Sequence, residues 1–138
     1  GKQSTRAIKL ALEDAKINKA QVDYINFHGT STIVNDKVET LAVKNLFNSL
    51  SQKIPVSSSK SMIGHPQGAS GGLGVTVSLL SLHNNFLTPT INQENPDPDC
   101  DLDYIPNKGR EKKVEIAISN CISFGSKNSA LVLGKFKK

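Results

Sequence analysis

The feature that most constrains this chain is a long stretch without charged side chains. Residues 61–93 contain no Asp, Glu, Lys or Arg, and the segment G-A-S-G-G-L-G-V-T-V-S-L-L-S-L-H-N-N begins within them at Gly68. Glycine is a poor helix former, so glycines at the start of an apolar helix favour close approach of another backbone. Because valine and leucine follow on every face, we predict a helix buried on all sides. Such a helix needs a second covering layer, and we therefore expect the chain to be half of a larger unit.

Length and composition agree with one folded domain over residues 1–138. The chain is 37% apolar and 21% charged, which excludes the disordered, collagen-like and coiled-coil classes. Its two cysteines form no C-x-x-C pair, so neither a disulfide framework nor a cysteine zinc site is expected. No apolar run is long enough to span a bilayer, and no segment is typical of a secretion signal. We expect a cytoplasmic location, with an organelle as the alternative.

Positive charge is concentrated in the last third of the chain. The 17 basic and 12 acidic side chains give a formal net charge of +5. A basic surface attracts nucleic acid or an acidic protein. Aromatic residues make up only 5% and no nucleic-acid-binding module is present, so nucleic acid is the weaker alternative. An acidic protein partner and an ordinary lysine-rich solvated surface stay open.

Hydrophobic periodicity predicts an α/β order of elements. The pattern indicates a helix capped by Ser4, a strand, a second helix, a second strand, the glycine-rich helix and two final strands, over residues 4–17, 22–27, 36–50, 54–58, 68–85, 114–124 and 129–136. The second helix begins with a D-x-x-E related to the capping box. Its predicted buried stripe consists of Val38, Leu41, Ala42, Leu46 and Leu50. This order fits one α/β layer unit.

Two of the three histidines follow predicted strands. His28 lies in H-G-T-S-T and His65 ends S-S-S-K-S-M-I-G-H. Loops beyond the carboxyl ends of strands are where open α/β sheets bind ligands. His83 lies beside two asparagines at a helix end, where a structural role is typical. No H-x-x-x-H spacing supports a metal site, and G-A-S-G-G at Gly68 lacks the leading strand that a nucleophile elbow requires.

Five sequence blocks resemble a single family. They are V-D-Y-I-N-F-H-G-T-S-T at 22–32, the D-x-x-E at 36–39, S-S-K-S-M-I-G-H-P-Q-G-A-S-G at 58–71, P-T-I-N-Q-E-N-P-D-P-D-C-D-L-D-Y-I-P-N at 89–107 and S-N-C-I-S-F-G-S-K-N at 119–128. In this order and spacing they are similar to the β-ketoacyl-acyl-carrier-protein synthases, especially the type II elongating enzymes and their polyketide relatives. The resemblance covers the C-terminal half of that family. It implies half of a thiolase-like fold, with a mixed five-stranded sheet and helices on both faces.

The resemblance implies an acyltransferase that performs a decarboxylative Claisen condensation. In this reaction an acyl group held on a cysteine is extended with malonyl-acyl carrier protein, in fatty-acid or polyketide synthesis. His28 and His65 match the N–H donors to the enolate oxygen, a role suited to preorganised donors in a dry pocket. Lys60 matches the active-site lysine, and a nearby cation keeps an imidazole neutral. No cofactor is implied.

The same resemblance assigns supporting residues. Glu39 matches the family carboxylate that pairs with Lys60, and it also fits the capping box. Thr30 and Thr32 match positions that hydrogen-bond the phosphopantetheine arm of the carrier. Hydroxyls that satisfy their own loop are the alternative for both threonines.

Two departures from the family pattern carry predictions. Phe124 matches a gating phenylalanine in a loop that usually reads G-F-G-G, but Ser123 and Ser126 replace two glycines, which predicts a stiffer gate. Some relatives hold a monovalent cation with an Asn, a Glu and a Ser-Asn pair. Here Gly74 stands in place of the glutamate, so we predict no metal, although the other positions match in Asn26, Ser119 and Asn120.

The nucleophilic cysteine of the family lies in its N-terminal half, which we expect to be absent from residues 1–138. Cys100 lies in an acidic connector and Cys121 in a core strand, and neither context favours a nucleophile. We therefore expect the chain alone to be inactive. The full-length protein is expected to be a homodimer that binds acyl carrier protein but neither nucleic acid nor a membrane. The alternatives are a chain-length-factor-like protein and a non-catalytic thiolase-fold module that binds acyl carrier protein.

Overall fold

A four-stranded mixed sheet organises the computed structural model, which describes residues 1–123, 125 and 127–136. In this part of the chain the main sheet has the strand order β2-β1-β5-β6, and β3 and β4 form a separate two-stranded sheet. The elements are α1 Lys2–Asp14, β1 Tyr24–Asn26, α2 Asn35–Phe47, β2 Val56–Ser57, α3 Lys60–Ile63, α4 Ser70–Asn84, β3 Phe86–Leu87, β4 Arg110–Glu111, β5 Ile116–Ser123 and β6 Lys127–Gly134.

Strand directions place three loops at one edge of the sheet. β1 pairs in parallel with β2, where Ile25 lies opposite Val56, and with β5, where Ile25 lies opposite Ile118. β6 runs antiparallel to β5. The carboxyl ends of β1, β2 and β5 therefore meet at the same edge, which is the usual ligand position in α/β sheets.

The two faces of the sheet bury separate cores. Along β1 and β5, Ile25 and Ile118 belong to the core beneath α1 and α2, whereas Tyr24 and Ala117 belong to the core beneath α4. This alternation is the two-residue period of a strand. The predicted α/β class, with a mixed sheet and helices on both faces, is confirmed. The predicted number of five strands is wrong for the described residues, where the main sheet has four strands and β3 pairs with β4 in a separate sheet.

The predicted side-chain caps of the first two helices are wrong. α1 begins at Lys2, so Ser4 lies in its first turn, where the buried hydroxyl donates to Asn128 Oδ1 at 2.8 Å instead of capping the helix. α2 begins at Asn35 after Val34, without a side-chain cap. Glu39 therefore lies too far into the helix to form a capping box.

The buried face of α2 is also shifted from the predicted stripe. Glu39, Val43 and Phe47, spaced by four residues, are buried, while Leu41 is 50% exposed. Residues four apart share one helical face, so the inward position of Glu39 requires Val43 and Phe47 to face the core. A polar contact made by Glu39, described below, explains the shift.

Within the described residues the glycine-rich helix is covered on one side only, so the predicted burial on all sides, which requires a second covering layer, stays a prediction for a larger unit. α4 buries the face formed by Ser70, Gly74, Ser78, Ser81 and Leu82. A Cβ at Gly74 would lie 2.8 Å from Ser119 Oγ, so the glycine permits close contact with β5. The opposite face exposes about half of Leu79 and Leu80, at 49% and 54%. The helix thus packs small residues and Leu82 against the sheet and presents Leu79 and Leu80 outward.

The exposed leucines of α4 generate a prediction. Replacing Leu79 and Leu80 with Lys should lower the binding of a hydrophobic dye by this chain, because it removes adjacent exposed apolar side chains. Surface substitutions usually change the free energy of unfolding by only about 0.5 kcal/mol. Leu82→Ala, at a position that is 3% exposed, should instead cost about 2–5 kcal/mol. Dye fluorescence and thermal unfolding measure both effects, and unchanged dye binding in the double variant would contradict the prediction.

Candidate functional site

Three loops converge at the carboxyl edge of the sheet. β1 leads into His28 and Gly29, β2 leads into Ser58 and Lys60, and β5 carries Asn120. The Ser58 hydroxyl donates a hydrogen bond to the Gly29 carbonyl oxygen at 2.9 Å, which joins the first two loops. The parallel pairing of neighbouring strands thus brings together residues from distant parts of the sequence.

Gly29 permits the sharp turn after His28. Its φ is +45°, in the left-handed region where side chains are disfavoured. A Cβ at this position would lie 2.4 Å from the Cβ of Ser58. Glycine is therefore required both by the backbone angle and by the contact with the neighbouring loop.

The two strand-end histidines form a pair. The rings of His28 and His65 have centroids 5.2 Å apart and planes at 84°, an edge-to-face arrangement. His65 Nδ1 accepts a hydrogen bond from the Gln67 backbone N–H at 3.1 Å, so the neutral ring carries its proton on Nε2. His28 is only 6% exposed, and its buried Nδ1 has no hydrogen-bond partner. The pair therefore offers at least one N–H donor of defined position.

Burial and nearby positive charge keep His28 neutral. Burial lowers the pKa of His28 from 6.5 to about 4, with smaller contributions from Lys60 and His65. Burial also lowers the pKa of Lys60, and the charge of Glu39 opposes this. A neutral imidazole can donate a hydrogen bond without carrying charge into the site.

The Glu39 carboxylate is the most connected polar group of the site. It is fully buried, and each of its oxygens accepts two N–H groups. Oε1 accepts from the His28 backbone at 2.7 Å and from Asn120 Nδ2 at 2.8 Å. Oε2 accepts from the Gly29 backbone at 2.9 Å and from Asn35 Nδ2 at 3.2 Å. One carboxylate therefore joins the end of β1, the start of α2 and the end of β5.

The Glu39 contacts differ from the direct pairing with Lys60 that the resemblance implies. No ion pair joins these two described residues, and the carboxylate acts on Lys60 only through longer-range electrostatic attraction. Burial raises the pKa of Glu39 from 4.5 to about 7, while the four N–H donors oppose that rise. The ionised form is the one that can accept all four hydrogen bonds.

A cavity of about 720 Å³ opens beside the histidine pair. Its lining includes Thr30, Thr32, Lys60 and His65, with the connector around residues 90–100 as part of the wall. This volume is typical of a small-molecule site. Thr32 Oγ1 accepts the Asn35 N–H at 3.1 Å, so this hydroxyl already serves its own loop. Of the predicted site residues, the structure brings together both histidines, Lys60, Glu39 and both threonines.

The gating prediction is only partly accessible, because Phe124 and Ser126 lie outside the described residues. Ser123 ends β5 and does not have a positive φ, whereas Gly125 has a φ of +74°. Ser123 therefore has a strand conformation that suits serine and gives no support to a stiffer loop at this position, and the gating role of Phe124 stays a prediction.

Within the described ranges, no group of three or more His, Cys, Asp or Glu side chains is arranged to hold a metal ion. At Gly74, an added Cβ would also lie 3.1 Å from Asn26 Oδ1, so the protein's own oxygens occupy this position. Among the described helices, none is long and apolar enough to cross a membrane.

Two partners of Glu39 and one wall of the cavity have no signal in the sequence that links them to the site. Asn35 matches no motif, and Asn120 matches only a cation site of some relatives. Asn92, Gln93 and Cys100 of the acidic connector line the cavity. The order of connector residues along the chain gave no indication that they lie beside His65.

Comparison with known proteins now decides the family. Residues 1–94 match the family described as "Beta-ketoacyl synthase, C-terminal domain". The chain belongs to the β-ketoacyl synthase family. The 3-oxoacyl-[acyl-carrier-protein] synthase 2 of Coxiella burnetii is 47% identical over 131 residues, which are 95% of this chain and 32% of that protein. The chain thus spans about a third of the length of the curated relatives that it matches.

Solved ketosynthase structures have the same fold. The ishigamide ketosynthase/chain length factor superposes with a TM-score of 0.93 at 37% identity, over 97% of this chain and 33% of that chain. A type II polyketide ketosynthase, AntDE in complex with its acyl-carrier protein AntF, superposes with a TM-score of 0.95 at 37% identity and the same coverage. These neighbours confirm the predicted thiolase-like fold.

The electrostatics of the histidine pair in this β-ketoacyl synthase domain generate a prediction. In ¹⁵N-histidine NMR spectra, the ring of His28 should titrate with a midpoint near 4. Lys60→Met should raise that midpoint, because it removes a nearby positive charge. The midpoint should stay below the ordinary 6.5, because burial is the larger cause. Lys9→Met on the exposed surface of α1 is the control and should leave the midpoint unchanged; a wild-type midpoint of 6.5 or higher would refute the assignment.

Proposed function

We propose that this chain supplies the two-histidine part of the active site of a 3-oxoacyl-acyl-carrier-protein synthase. The single observation that carries the proposal is a pair of histidines, one of them held neutral, beside a cavity at the carboxyl edge of the sheet. The similar proteins support it, since they are acyl-carrier-protein synthases and ketosynthases. The reaction is the decarboxylative Claisen condensation of an acyl group with malonyl-acyl carrier protein.

The histidines stabilise charge in this proposal. When the malonyl thioester loses CO₂, the electrons of the broken C–C bond form an enolate, whose oxygen becomes negative. Two neutral imidazole N–H groups donate hydrogen bonds to that oxygen. The enolate carbon then attacks the acyl thioester, and the enzyme thiolate leaves. Donors already in place where charge develops lower the barrier because they need no reorganisation.

Lys60 and Glu39 act on the histidines rather than on the substrate carbon. The Lys60 charge disfavours an imidazolium at His28, which keeps the ring a neutral donor. Glu39 holds the backbone N–H groups of His28 and Gly29 and so fixes the loop that carries the first histidine. The proposal therefore gives a stabilising role to the cation and a positioning role to the carboxylate.

The nucleophilic cysteine is proposed to come from a part of the full-length protein outside residues 1–138, so that this chain alone is inactive. Cys100 lines the cavity, but it lies in a turn between Asp99 and Asp101, and its N–H donates to the Asp97 carbonyl at 2.9 Å. Nearby carboxylates disfavour the thiolate that a nucleophile requires. Cys121 lies within β5, where it pairs with Ser129.

The proposed partner is an acyl carrier protein that delivers its substrate on a phosphopantetheine arm past Thr30 and Thr32. A similar solved ketosynthase is described in complex with its acyl-carrier protein, which supports this choice. The full-length protein is proposed to be a homodimer in the cytoplasm or an organelle, acting in fatty-acid or polyketide synthesis. Retention of both histidines favours this function over a chain-length-factor-like or non-catalytic module.

The histidine roles are tested by His28→Ala and His65→Ala in the full-length protein. Each variant should slow malonyl decarboxylation about 10²–10³-fold, because each removes a donor to the developing oxyanion. Acyl loading should change much less, since it needs no enolate. His83→Ala, an exposed histidine near the end of α4, is the matched control and should leave both rates unchanged. Wild-type decarboxylation in a folded His28 or His65 variant, checked by thermal unfolding, would refute the proposal.

The origin of the nucleophile is tested by mapping the acyl group. After the full-length protein reacts with an acyl-carrier-protein thioester, peptide mass spectrometry should find the acyl group on neither Cys100 nor Cys121. A variant with alanine at both positions should load acyl groups at the wild-type rate. An acyl adduct on either cysteine, or loss of loading in the double variant, would overturn this part of the proposal.

A further inference from the structure

β5 carries a buried asparagine just beyond its last residue that pairs with β1, and Glu39 dictates the orientation of this side chain. Asn120 is 4% exposed, and its Nδ2 donates to Glu39 Oε1 at 2.8 Å. Its Oδ1 is buried without a hydrogen-bond partner. Turning the amide over would place Oδ1 against a carboxylate oxygen and break the bond to Glu39. The side chain therefore keeps one polar atom unsatisfied, at an energetic cost, in order to hold the carboxylate.

The other N–H donors to Glu39 show what the asparagine adds. His28 and Gly29 donate from the backbone, and Asn35 donates at 3.2 Å from a partly exposed position on the same helix as Glu39. Asn120 donates from its side chain on β5. It bonds to Glu39 Oε1, the same oxygen that accepts the His28 backbone N–H. Its removal would leave Oε1 with one donor in a site from which water is excluded.

We propose that Asn120 is a positioning residue for the histidine pair, acting through Glu39 on the His28 loop. The inference rests on the proposed function for its catalytic consequence. The amide bond holds the carboxylate against the backbone N–H groups of His28 and Gly29. Because the ring of His28 follows directly from that backbone, a displaced carboxylate lets the ring move relative to His65.

The charge state of Glu39 links this geometry to pH. The groups that face Glu39 or its neighbours are His28 at the end of β1, Asp36 on α2, Lys60 on α3, Cys121 on β5 and His65 beyond His28. Burial raises the pKa of Glu39, and the Asn120 hydrogen bond opposes that rise. Only the ionised carboxylate accepts all four N–H groups. Removal of the Asn120 donor should therefore shift protonation of Glu39 to higher pH.

The test compares two buried asparagines in the full-length protein. Asn120→Leu keeps the approximate size of the side chain but removes the N–H donor. Asn26→Leu is the matched control, because Asn26 is 2% exposed at the end of the adjacent strand and donates to Tyr24 OH instead. The acidic limb of malonyl decarboxylation should move upward by about one to two pH units in Asn120→Leu and stay in place in Asn26→Leu.

A second variant, Asn120→Asp, should move the loss of activity from the acidic to the alkaline side. Asn120→Asp has the same shape and, when protonated, can donate its O–H to Glu39. As the pH rises the new carboxyl ionises and repels Glu39, so activity should be lost on the alkaline side. An equal loss of activity at every pH in both Asn120 variants would indicate a purely structural role and overturn the proposal.

An infrared titration separates this inference from the proposed function. The band of a protonated carboxyl, assigned by its absence in Glu39→Gln, should appear at higher pH in Asn120→Leu than in the wild type. If that shift occurs in a protein that performs no condensation, the proposed function fails and the role of Asn120 at Glu39 stands. A band that titrates at the same pH in both proteins would refute the role of Asn120.

Discussion

The buried carboxylate of Glu39 is the constraint on which the rest of the site depends. A buried charge without a counter-ion is costly unless hydrogen bonds compensate it, and here four N–H groups do so. These donors come from three elements that are separate in the sequence. The carboxylate also turns α2 so that Val43 and Phe47 enter the core. The polar site and the apolar core are therefore parts of one arrangement.

Some ionisable groups of the site keep their charge and others lose it. Burial disfavours charge on His28, Lys60 and Glu39 alike. Lys60 reinforces this effect at His28, while the charge of Glu39 opposes the loss of charge at Lys60. His28 is thus a neutral imidazole beside a cation, which is the arrangement that its proposed role as an oxyanion donor uses.

The sequence predicted the layers of the fold better than its local details. The order of the predicted helices and strands along the chain follows from apolar periodicity and is confirmed, whereas the short elements α3, β3 and β4 have no predicted counterpart. The α2 stripe failed at Leu41 because a hydrophobic pattern cannot anticipate that Glu39 faces inward. α4 packs its small residues and Leu82 against the sheet while Leu79 and Leu80 are exposed, so its covering on every side stays a prediction for a larger unit. The match of Asn120 to a cation site gives no sign of its bond to Glu39, because the two residues are 81 positions apart in the sequence.

The central pairing of β1 with β5 has a consequence for folding kinetics. β1 lies near the start of the chain and β5 near its end, and the loop between them must close before Ile25 can meet Ile118. Loop closure costs entropy that is recovered only when the distant contacts form, so folds dominated by such pairings fold slowly. Asn120 can reach Glu39 only after this closure. The buried carboxylate therefore gains its fourth N–H donor only once these two distant strands have paired.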